Sequence, residues 1–166
     1  MFRFNREQKV FTIDGTKVGG QAGENPPLLI ASMFHNKDRI VTDRKGNFDR
    51  PKAVELIRKQ EELSASTGIP SMVAMVANSA EEAKIYIDFY RETTSMPFGI
   101  DMWVAEKRAE ATEYVAKLGL QDKFLYNSIT PWDKDIKGQV QKLKDLGIKH
   151  VVVQAFDDQD QTPAGR

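Results

Sequence analysis

The chain contains 166 residues, 40% of them hydrophobic, and its 24 lysines and arginines balance its 24 aspartates and glutamates, so the formal net charge is zero. That length is enough for one domain with a substantial core. Because charges of both signs are interspersed along the predicted helices, the sequence has neither the basic footprint of a nucleic-acid-binding protein nor a polybasic membrane patch.

Three absences narrow the class of protein further. The sequence has no cysteine, which excludes disulfides and cysteine-ligated metal sites. No apolar run approaches the roughly 18 residues that a membrane span requires. The first residues are charged and lack the apolar core of a secretory signal. Together these features predict a cytoplasmic protein without a membrane span.

The first predicted element is a small β-hairpin within an N-terminal segment, residues 1–24. Val10 and Val18 belong to its two arms, which flank Asp14-Gly15, a dipeptide that favours a type I′ turn. A loop rich in glycine and proline follows the hairpin. Beyond it the pattern becomes regular.

Five short apolar segments then alternate with amphipathic stretches. Their nearly continuous hydrophobicity is typical of parallel strands that are covered on both faces. The last three segments recur at intervals of about 26 residues, a normal length for one βα unit. The predicted strands span residues 28–34, 71–77, 98–103, 123–129 and 150–156.

Helix signals occupy the gaps between these strands. The first helix has Pro51 in its first turn and Gly68 at its end, as helix termini prefer. Ser79 and Glu82 have the spacing of a capping box at the start of the second helix. Strict alternation of strands and helices predicts a parallel sheet, either open and doubly wound or closed into a barrel.

The glycine pattern favours the barrel. A nucleotide-binding open sheet would place its glycine-rich loop after the first strand. Here Gly19, Gly20 and Gly23 precede that strand, and neither a P-loop nor a dinucleotide fingerprint opens any helix. A Rossmann fold is therefore disfavoured, and a flavodoxin-like sheet is the remaining open alternative.

Polar side chains gather at the carboxyl ends of the predicted strands, where a barrel places its catalytic loops. Asp101 lies between Ile100 and Met102 in an apolar strand, and burying a carboxylate there without a partner would cost several kcal/mol. We therefore predict that it has a partner or a chemical role. Asn127 has a similar position in the next strand. The other polar residues at strand ends are Asn78, Ser128, Gln154, Asp157 and Asp158.

A carboxylate beside a carboxamide suits a flat heterocyclic ligand. A carboxylate accepts two hydrogen bonds side by side, and an amide both donates and accepts. The aminopyrimidinone edge of a pterin matches this pattern, but so do a purine, a pyrimidine and a sugar. Residue chemistry alone therefore predicts a small polar ligand at the barrel mouth.

Four further residues receive simpler interpretations. Asn78 and Asp157 are best explained as loop residues or helix caps. His35, after the first strand, is of a residue type that can serve in acid catalysis but is better explained as a loop residue. His150 begins a strand at the opposite end and is predicted to be structural. Two scattered histidines without metal-binding spacing predict no metal site.

Several longer motifs resemble a known family. The stretches GGQAGENPPLLIASMFHNKDRIV, GNFDRPKAVELIRKQEELSASTGIP, YIDFYRETTSMPFGID and KFLYNSIT resemble the H subunit of tetrahydromethanopterin S-methyltransferase and its bacterial relatives. Those relatives include the corrinoid-dependent tetrahydrofolate methyltransferases of glycine betaine metabolism. The resemblance implies a (β/α)8 TIM barrel of the pteroate-synthase-like type, of which residues 1–166 form the N-terminal part with about five βα units.

The resemblance also implies a function. It implies an enzyme that moves a methyl group between N5 of a pterin and cobalamin, a corrinoid, carried by a partner protein. By motif, Asp101 of FGID corresponds to the aspartate that grips the pyrimidine edge. Asn127 of YNSI corresponds to the asparagine beside it, with an orienting role in catalysis. Ser128 and Gln154 are adjacent candidates for pterin binding, and Asn78 is a further one.

Tetrahydrofolate is the expected methyl carrier, with tetrahydromethanopterin as the alternative. The mechanism expected from the resemblance is an in-line methyl transfer between N5 and cobalt. N5 is a poor leaving group unless it is protonated or hydrogen-bonded in the transition state. The protein would therefore contribute orientation and hydrogen bonds that strengthen as charge develops.

The sequence is short for such a barrel. A complete one has eight strands and about 250 residues, whereas this sequence ends at Arg166, after the fifth predicted strand. We expect a fragment of a longer enzyme that has little or no transferase activity alone and whose open edges favour a homo-oligomer. The alternatives are a natural truncation, a non-catalytic half-barrel that binds a pterin or a corrinoid protein, and another pterin-binding barrel enzyme such as dihydropteroate synthase.

Overall fold

A computed structural model describes residues 2–43, 45–157, 159–160 and 162–165. These residues contain an antiparallel hairpin and a five-stranded parallel sheet. The strands are β1 (Val10–Ile13), β2 (Thr16–Gly19), β3 (Leu29–Met33), β4 (Ser71–Val76), β5 (Phe98–Asp101), β6 (Phe124–Ile129) and β7 (His150–Val153). The α-helices are α1 (Arg50–Thr67), α2 (Ala80–Thr93), α3 (Ala105–Lys117) and α4 (Ile136–Asp145).

The parallel strands lie in chain order, β3-β4-β5-β6-β7. A doubly wound sheet would reverse its order at a switch point, whereas right-handed crossovers between sequential strands keep every helix on one face. Val73 and Ile100 of the sheet share one core with Ile57 of α1 and Tyr86 of α2. The order confirms the α/β prediction and is that of part of a (β/α)8 barrel.

Predicted and observed strands agree in number and order, and four of the five end one to three residues earlier than predicted. β5 ends at Asp101 rather than at residue 103, because the carbonyl oxygen of Met102 accepts a hydrogen bond from Arg108 at 2.7 Å instead of joining the ladder. β7 ends at Val153 rather than at residue 156. Predicted strands were too long where the chain turns toward the loops.

Local signals place the helix ends. Pro51 lies in the first turn of α1, and Gly68 ends that helix with a φ of 68°, as predicted. The Ser79 side chain accepts a hydrogen bond from the backbone N–H of Glu82 at 3.1 Å. The Glu82 carboxylate, however, accepts from the backbone N–H of Asn78 rather than from that of Ser79. No helix in the described ranges has both the length and the hydrophobicity to cross a membrane.

The N-terminal hairpin closes the amino-terminal end of the sheet. Asp14 and Gly15 both have positive φ values, 47° and 82°, which confirms the type I′ turn. Ile13, next to the turn, is 1% exposed and packs against Met72 and Leu125. Met72 and Leu125 lie on the face opposite the helices. The hairpin therefore covers this face at the amino-terminal ends of the strands, which in a closed barrel is one end of the interior.

Polar contacts hold the hairpin in place. Nε2 of His150 lies 2.7 Å from the carbonyl oxygen of Thr12, and the backbone N–H of Asp14 donates to the carbonyl oxygen of Asp122 at 3.1 Å. His150 is therefore structural, as predicted, and it joins β7 to β1.

The outer strands of the sheet leave apolar side chains open to solvent. Leu29 and Ile30 of β3 are 54% and 50% exposed, and Val153 of β7 is 62% exposed. Closure of a barrel covers such edges. The described residues therefore form an open segment of the barrel wall.

Substitution Ile13→Ala tests the role of the hairpin. It is expected to lower the free energy of unfolding by about 2–4 kcal/mol, because it removes a buried side chain and leaves a cavity against Met72 and Leu125. Urea denaturation followed by circular dichroism measures the loss. Val10→Ala, at a position 42% exposed in the same strand, is the matched control and should cost less than about 1 kcal/mol. Equal losses in the two variants would contradict the role of the hairpin as a plug.

Candidate functional site

Asp101 and Asn127 occupy paired positions on neighbouring strands. In the register of β5 with β6, Asp101 lies opposite Asn127, and in the register of β4 with β5 it lies opposite Val76. Paired residues of parallel strands project to the same face, and the strands lie about 4.8 Å apart. The two residues predicted to form the ligand grip are therefore brought side by side at the carboxyl edge of the sheet.

The face on which they project is the one without helices. Asn127 is two residues beyond Leu125, whose side chain packs with the hairpin. Because side chains alternate along a strand, both lie on the side opposite the helical core. The same alternation places Asp101 and Gly99 on that side. In a closed barrel this side is the interior.

The predicted burial of Asp101 is wrong. Its side chain is exposed, because nothing in the described ranges covers the open face of the sheet above it. Desolvation by the flanking strands nevertheless raises the pKa of its carboxyl above the ordinary value, and the positive charges of Arg108 and His35 oppose that shift. The carboxylate is thus partly desolvated on one side and open to a ligand on the other.

Ser128 and Gln154 form a second polar pair at this edge. The side-chain amide of Gln154 donates to Oγ of Ser128 at 3.0 Å, and the backbone N–H of Gln154 donates to the carbonyl oxygen of Ile129 at 2.9 Å. The ladder between β6 and β7 shifts register between Asn127 and Ile129, so Ser128 is the extra residue of a bulge. Bulges redirect side chains at strand ends. The peptide bond between Asn127 and Ser128 is cis.

Asn78 is occupied by contacts between loops. Its side-chain amide donates to Asn36 at 3.1 Å and to Glu82 at 2.9 Å. Asp157 is also engaged locally, since its carboxylate accepts the backbone N–H of Gln159 at 2.9 Å. These contacts fit the interpretation of both residues as loop or cap residues. The other predicted strand-end residue, Asp158, lies outside the described residues, as does Arg166.

A buried arginine, not predicted as part of the site, lies directly behind it. Arg108 of α3 is 3% exposed. Its guanidinium donates to the hydroxyl of Tyr126 at 2.8 Å, to the carbonyl oxygen of Met102 at 2.7 Å and to the carboxylate of Asp133 at 3.2 Å. Asp133 in turn accepts the backbone N–H of Thr130 at 2.8 Å. One side chain therefore fastens the carboxyl ends of β5 and β6 to each other.

The sequence contained a signal for this arginine. Arg108, Ala111 and Val115 have the i, i+3, i+7 spacing of an inner helical stripe, and all three are buried. A charged residue on such a stripe needs a buried partner. The partner, Asp133, lies in a loop 25 residues away, and that separation hid the pair from sequence inspection.

Comparison with known proteins identifies the family of this chain. The profile of the tetrahydromethanopterin S-methyltransferase MtrH subunit matches residues 6–166. The chain belongs to the MtrH family. This membership confirms the resemblance drawn from the sequence motifs, and it agrees with the sequential parallel sheet.

Individual relatives of the MtrH family match over the whole chain. The H subunit of tetrahydromethanopterin S-methyltransferase from Methanothermobacter marburgensis is 37% identical over 167 residues, which are 100% of this chain and 53% of the relative. The H subunit of a putative mtx methyltransferase from Methanosarcina acetivorans is 40% identical, with the same shares covered. The chain therefore spans about half the length of the curated relatives that it matches.

Substitution Arg108→Met is expected to destabilise the fold by about 3–5 kcal/mol, because it leaves the Asp133 carboxylate buried without its partner. Urea denaturation measures the change. Arg91→Met is the matched control: Arg91 pairs with Asp88 at 2.9 Å, but both side chains are well exposed, so that loss should stay below about 1 kcal/mol. If both variants lost equally little, the buried pair would not be what fastens the strand ends.

Proposed function

We propose that this chain carries the pterin grip of a methyltransferase that exchanges a methyl group between N5 of a reduced pterin and a corrinoid on a partner protein. The observation that carries the proposal is the registered pair of Asp101 and Asn127, side by side at the carboxyl edge of the sheet and facing away from the helices. Membership of the MtrH family supports the reaction class.

The chemistry of the pair fits the edge of a pterin. The Asp101 carboxylate can accept two parallel hydrogen bonds from the ring N–H and the exocyclic amine of the aminopyrimidinone. Asn127, beside it, can both donate to and accept from the same edge. Desolvation penalises the Asp101 charge, as its raised pKa indicates, and hydrogen bonds from a bound pterin would offset that penalty.

For methyl transfer, the residues of this chain would act by positioning. When bound, the corrinoid supplies the cobalt centre that exchanges the methyl group. Asp101 and Asn127 would fix the pyrimidine edge, and thereby the direction in which N5 points. The Ser128–Gln154 pair lies next to Asn127 and would restrict how the ring is seated. Asn78, on the adjacent strand end, is a weaker candidate, because its side chain already bonds with Asn36 and Glu82.

The methyl carrier could be tetrahydrofolate or tetrahydromethanopterin. We propose tetrahydrofolate, from the resemblance to the bacterial methyltransferases, whereas relatives of this chain carry tetrahydromethanopterin in their names. Both carriers share the pterin edge that would meet Asp101. A cytoplasmic location and a corrinoid-protein partner belong to the same proposal.

A second candidate function is binding without catalysis. The registered pair of Asp101 and Asn127 could hold a pterin whether or not a methyl group is then transferred. Methylcobalamin demethylation by the chain with tetrahydrofolate separates the two candidates. Binding of pterin without methyl transfer would select the binding module. Transfer at a rate near that of a full-length relative would select the enzyme and contradict our expectation that this chain alone is inactive.

Asp101→Asn is expected to weaken tetrahydrofolate affinity about tenfold or more, because the amide replaces one of the two accepting oxygens with an NH2 donor that would face a donor of the pterin edge. Isothermal titration calorimetry with tetrahydrofolate and tetrahydromethanopterin measures it. Asp157→Asn, at a neighbouring strand end but held in a local loop contact, is the control and should bind as the wild type does.

Comparison of the wild type with Asp101→Asn also predicts how tetrahydrofolate affinity depends on pH. Wild-type affinity should fall as the pH drops through the pKa of Asp101, which desolvation raises above the ordinary value, since the protonated carboxyl accepts poorly. Any titration of the pterin itself affects both proteins alike, so the difference between them should shrink toward low pH. A constant difference across the acidic range would contradict the assignment of the grip to Asp101.

The open edges of the sheet generate a prediction about assembly. Leu29, Ile30 and Val153 are each at least half exposed, and exposed strand edges pair readily. We therefore propose that the chain alone forms a homodimer or a higher oligomer. Multi-angle light scattering measures the mass, and Ile30→Lys should shift the distribution toward the monomer. A well-folded monomer of the unmodified chain at micromolar concentration would contradict this prediction.

A further inference from the structure

Three aromatic side chains form a row across the carboxyl ends of the last strands. Trp103 follows β5, Trp132 follows β6 and Phe156 follows β7. The ring centroids of Trp103 and Trp132 lie 6.1 Å apart with an interplanar angle of 35°, and those of Trp132 and Phe156 lie 4.9 Å apart. We call these three residues the aromatic row.

The tryptophans of this row are unusually open. Trp103 is 85% exposed and Trp132 is 52% exposed. Neither indole therefore belongs to the core of the described fold. Large apolar side chains that stay in water at the functional end of a fold indicate a binding surface.

A recess adjoins the two indoles. Its volume is about 620 Å³, and it is bounded by Trp103, Trp132 and the first two turns of α3 and α4. That volume lies within the range of small-molecule sites. Glu106, Asp133 and Lys134 contribute polar groups to its wall. The site is thus a partly apolar recess with aromatic faces, rather than a flat patch.

The recess lies at the same end of the sheet as the proposed pterin grip, on the side of α3 and α4. Trp103 is two residues beyond Asp101, so their Cα atoms lie within about 7 Å of each other. Trp132 lies five residues beyond Asn127, in the loop after β6, and it contacts Trp103. Reduced pterin carriers bear an arylamine on one carbon attached to the pterin ring. A pterin held at the strand ends therefore has its aryl group within reach of this row.

We propose that the aryl group of the methyl carrier stacks on the Trp103–Trp132 pair, with the remainder of the tail in the recess. This inference rests on the proposed function, since it requires the pterin to be held at Asp101 and Asn127. Stacking on indole tolerates different ring substituents because every aryl group has a π face. The pair would recognise the aryl group common to tetrahydrofolate and tetrahydromethanopterin, while the polar wall would meet the parts in which their tails differ.

The two tryptophans offer a direct readout, because they are the only ones in the sequence. Intrinsic tryptophan fluorescence therefore reports on this pair alone. Titration uses four probes: tetrahydrofolate, tetrahydromethanopterin, the tail-less 6-methyltetrahydropterin, and 4-aminobenzoylglutamate as the tail without a pterin. We expect the two complete carriers to bind about tenfold more tightly than the tail-less pterin. We also expect 4-aminobenzoylglutamate to quench the fluorescence at millimolar concentration.

Trp103→Ala is the main variant, and calorimetry measures its affinities. Because Trp103 is so exposed, its removal should leave the fold intact. The variant is expected to lose about tenfold in affinity for a complete carrier and nothing for the tail-less pterin. Trp103→Phe should recover most of the loss. Phe2→Ala, at an aromatic residue that is 69% exposed elsewhere, is the control and should bind every probe normally. Because the aryl group is common to both carriers, the loss should be similar for tetrahydrofolate and tetrahydromethanopterin.

Three outcomes would overturn the inference. One is unchanged binding of both complete carriers by Trp103→Ala. Another is an equal loss for tail-less and complete pterins. The third is loss of binding to a methylated corrinoid protein with all pterin affinities intact, which would assign the row to partner docking. If no pterin binds the wild type, the proposed function fails. In that case 4-aminobenzoylglutamate alone tests the stacking site: quenching of the tryptophan fluorescence supports the site, and unchanged fluorescence overturns it.

Discussion

The alternation of side chains along β5 and β6 is the constraint on which the rest of the arrangement depends. Phe98 and Ile100 point to the helices and are buried there, which forces Asp101 to the other face. In β6, Phe124 and Tyr126 are buried in the same core, and Asn127 is forced to the side of Asp101. A slip of one residue in either strand would bury a polar side chain beneath the helices. The aromatic core thus fixes where the polar pair lies.

Arg108 carries that constraint from the core to the strand ends. Its guanidinium lies 5.1 Å from the centre of the Tyr126 ring, which belongs to the core, while it donates to Met102, the neighbour of Asp101. The arginine therefore holds the end of β5 in a fixed relation to β6 and places a positive charge behind the Asp101 carboxylate. Arg108 therefore contributes to the packing, the backbone position and the charge of the site, although it contacts no proposed ligand.

Much of this could be predicted from the sequence, and the failures have physical causes. Periodicity and helix-end signals such as Gly68 depend on local interactions, so the elements and their order were predictable. Asp101 and Asn127 were predicted at the ends of neighbouring strands, whereas their direct pairing is set by the register of β5 with β6. Burial of Asp101 was predicted wrongly, because burial depends on what lies across the sheet rather than on neighbours in sequence. The contact of Arg108 with Asp133 joins distant segments and has no local signature.

The contact between His150 and Thr12 spans 138 positions of the chain. During synthesis the hairpin emerges first, yet the surfaces that hold it come from β4, β6 and β7, the last of which is made at the end of the described sheet. Its apolar residue Ile13 stays uncovered until those strands have assembled. The element closest to the amino terminus is therefore among the last to dock, and such long-range contacts slow folding. Docking of the hairpin at the amino-terminal end of the sheet therefore belongs to a late stage of folding, although the hairpin comes early in the sequence.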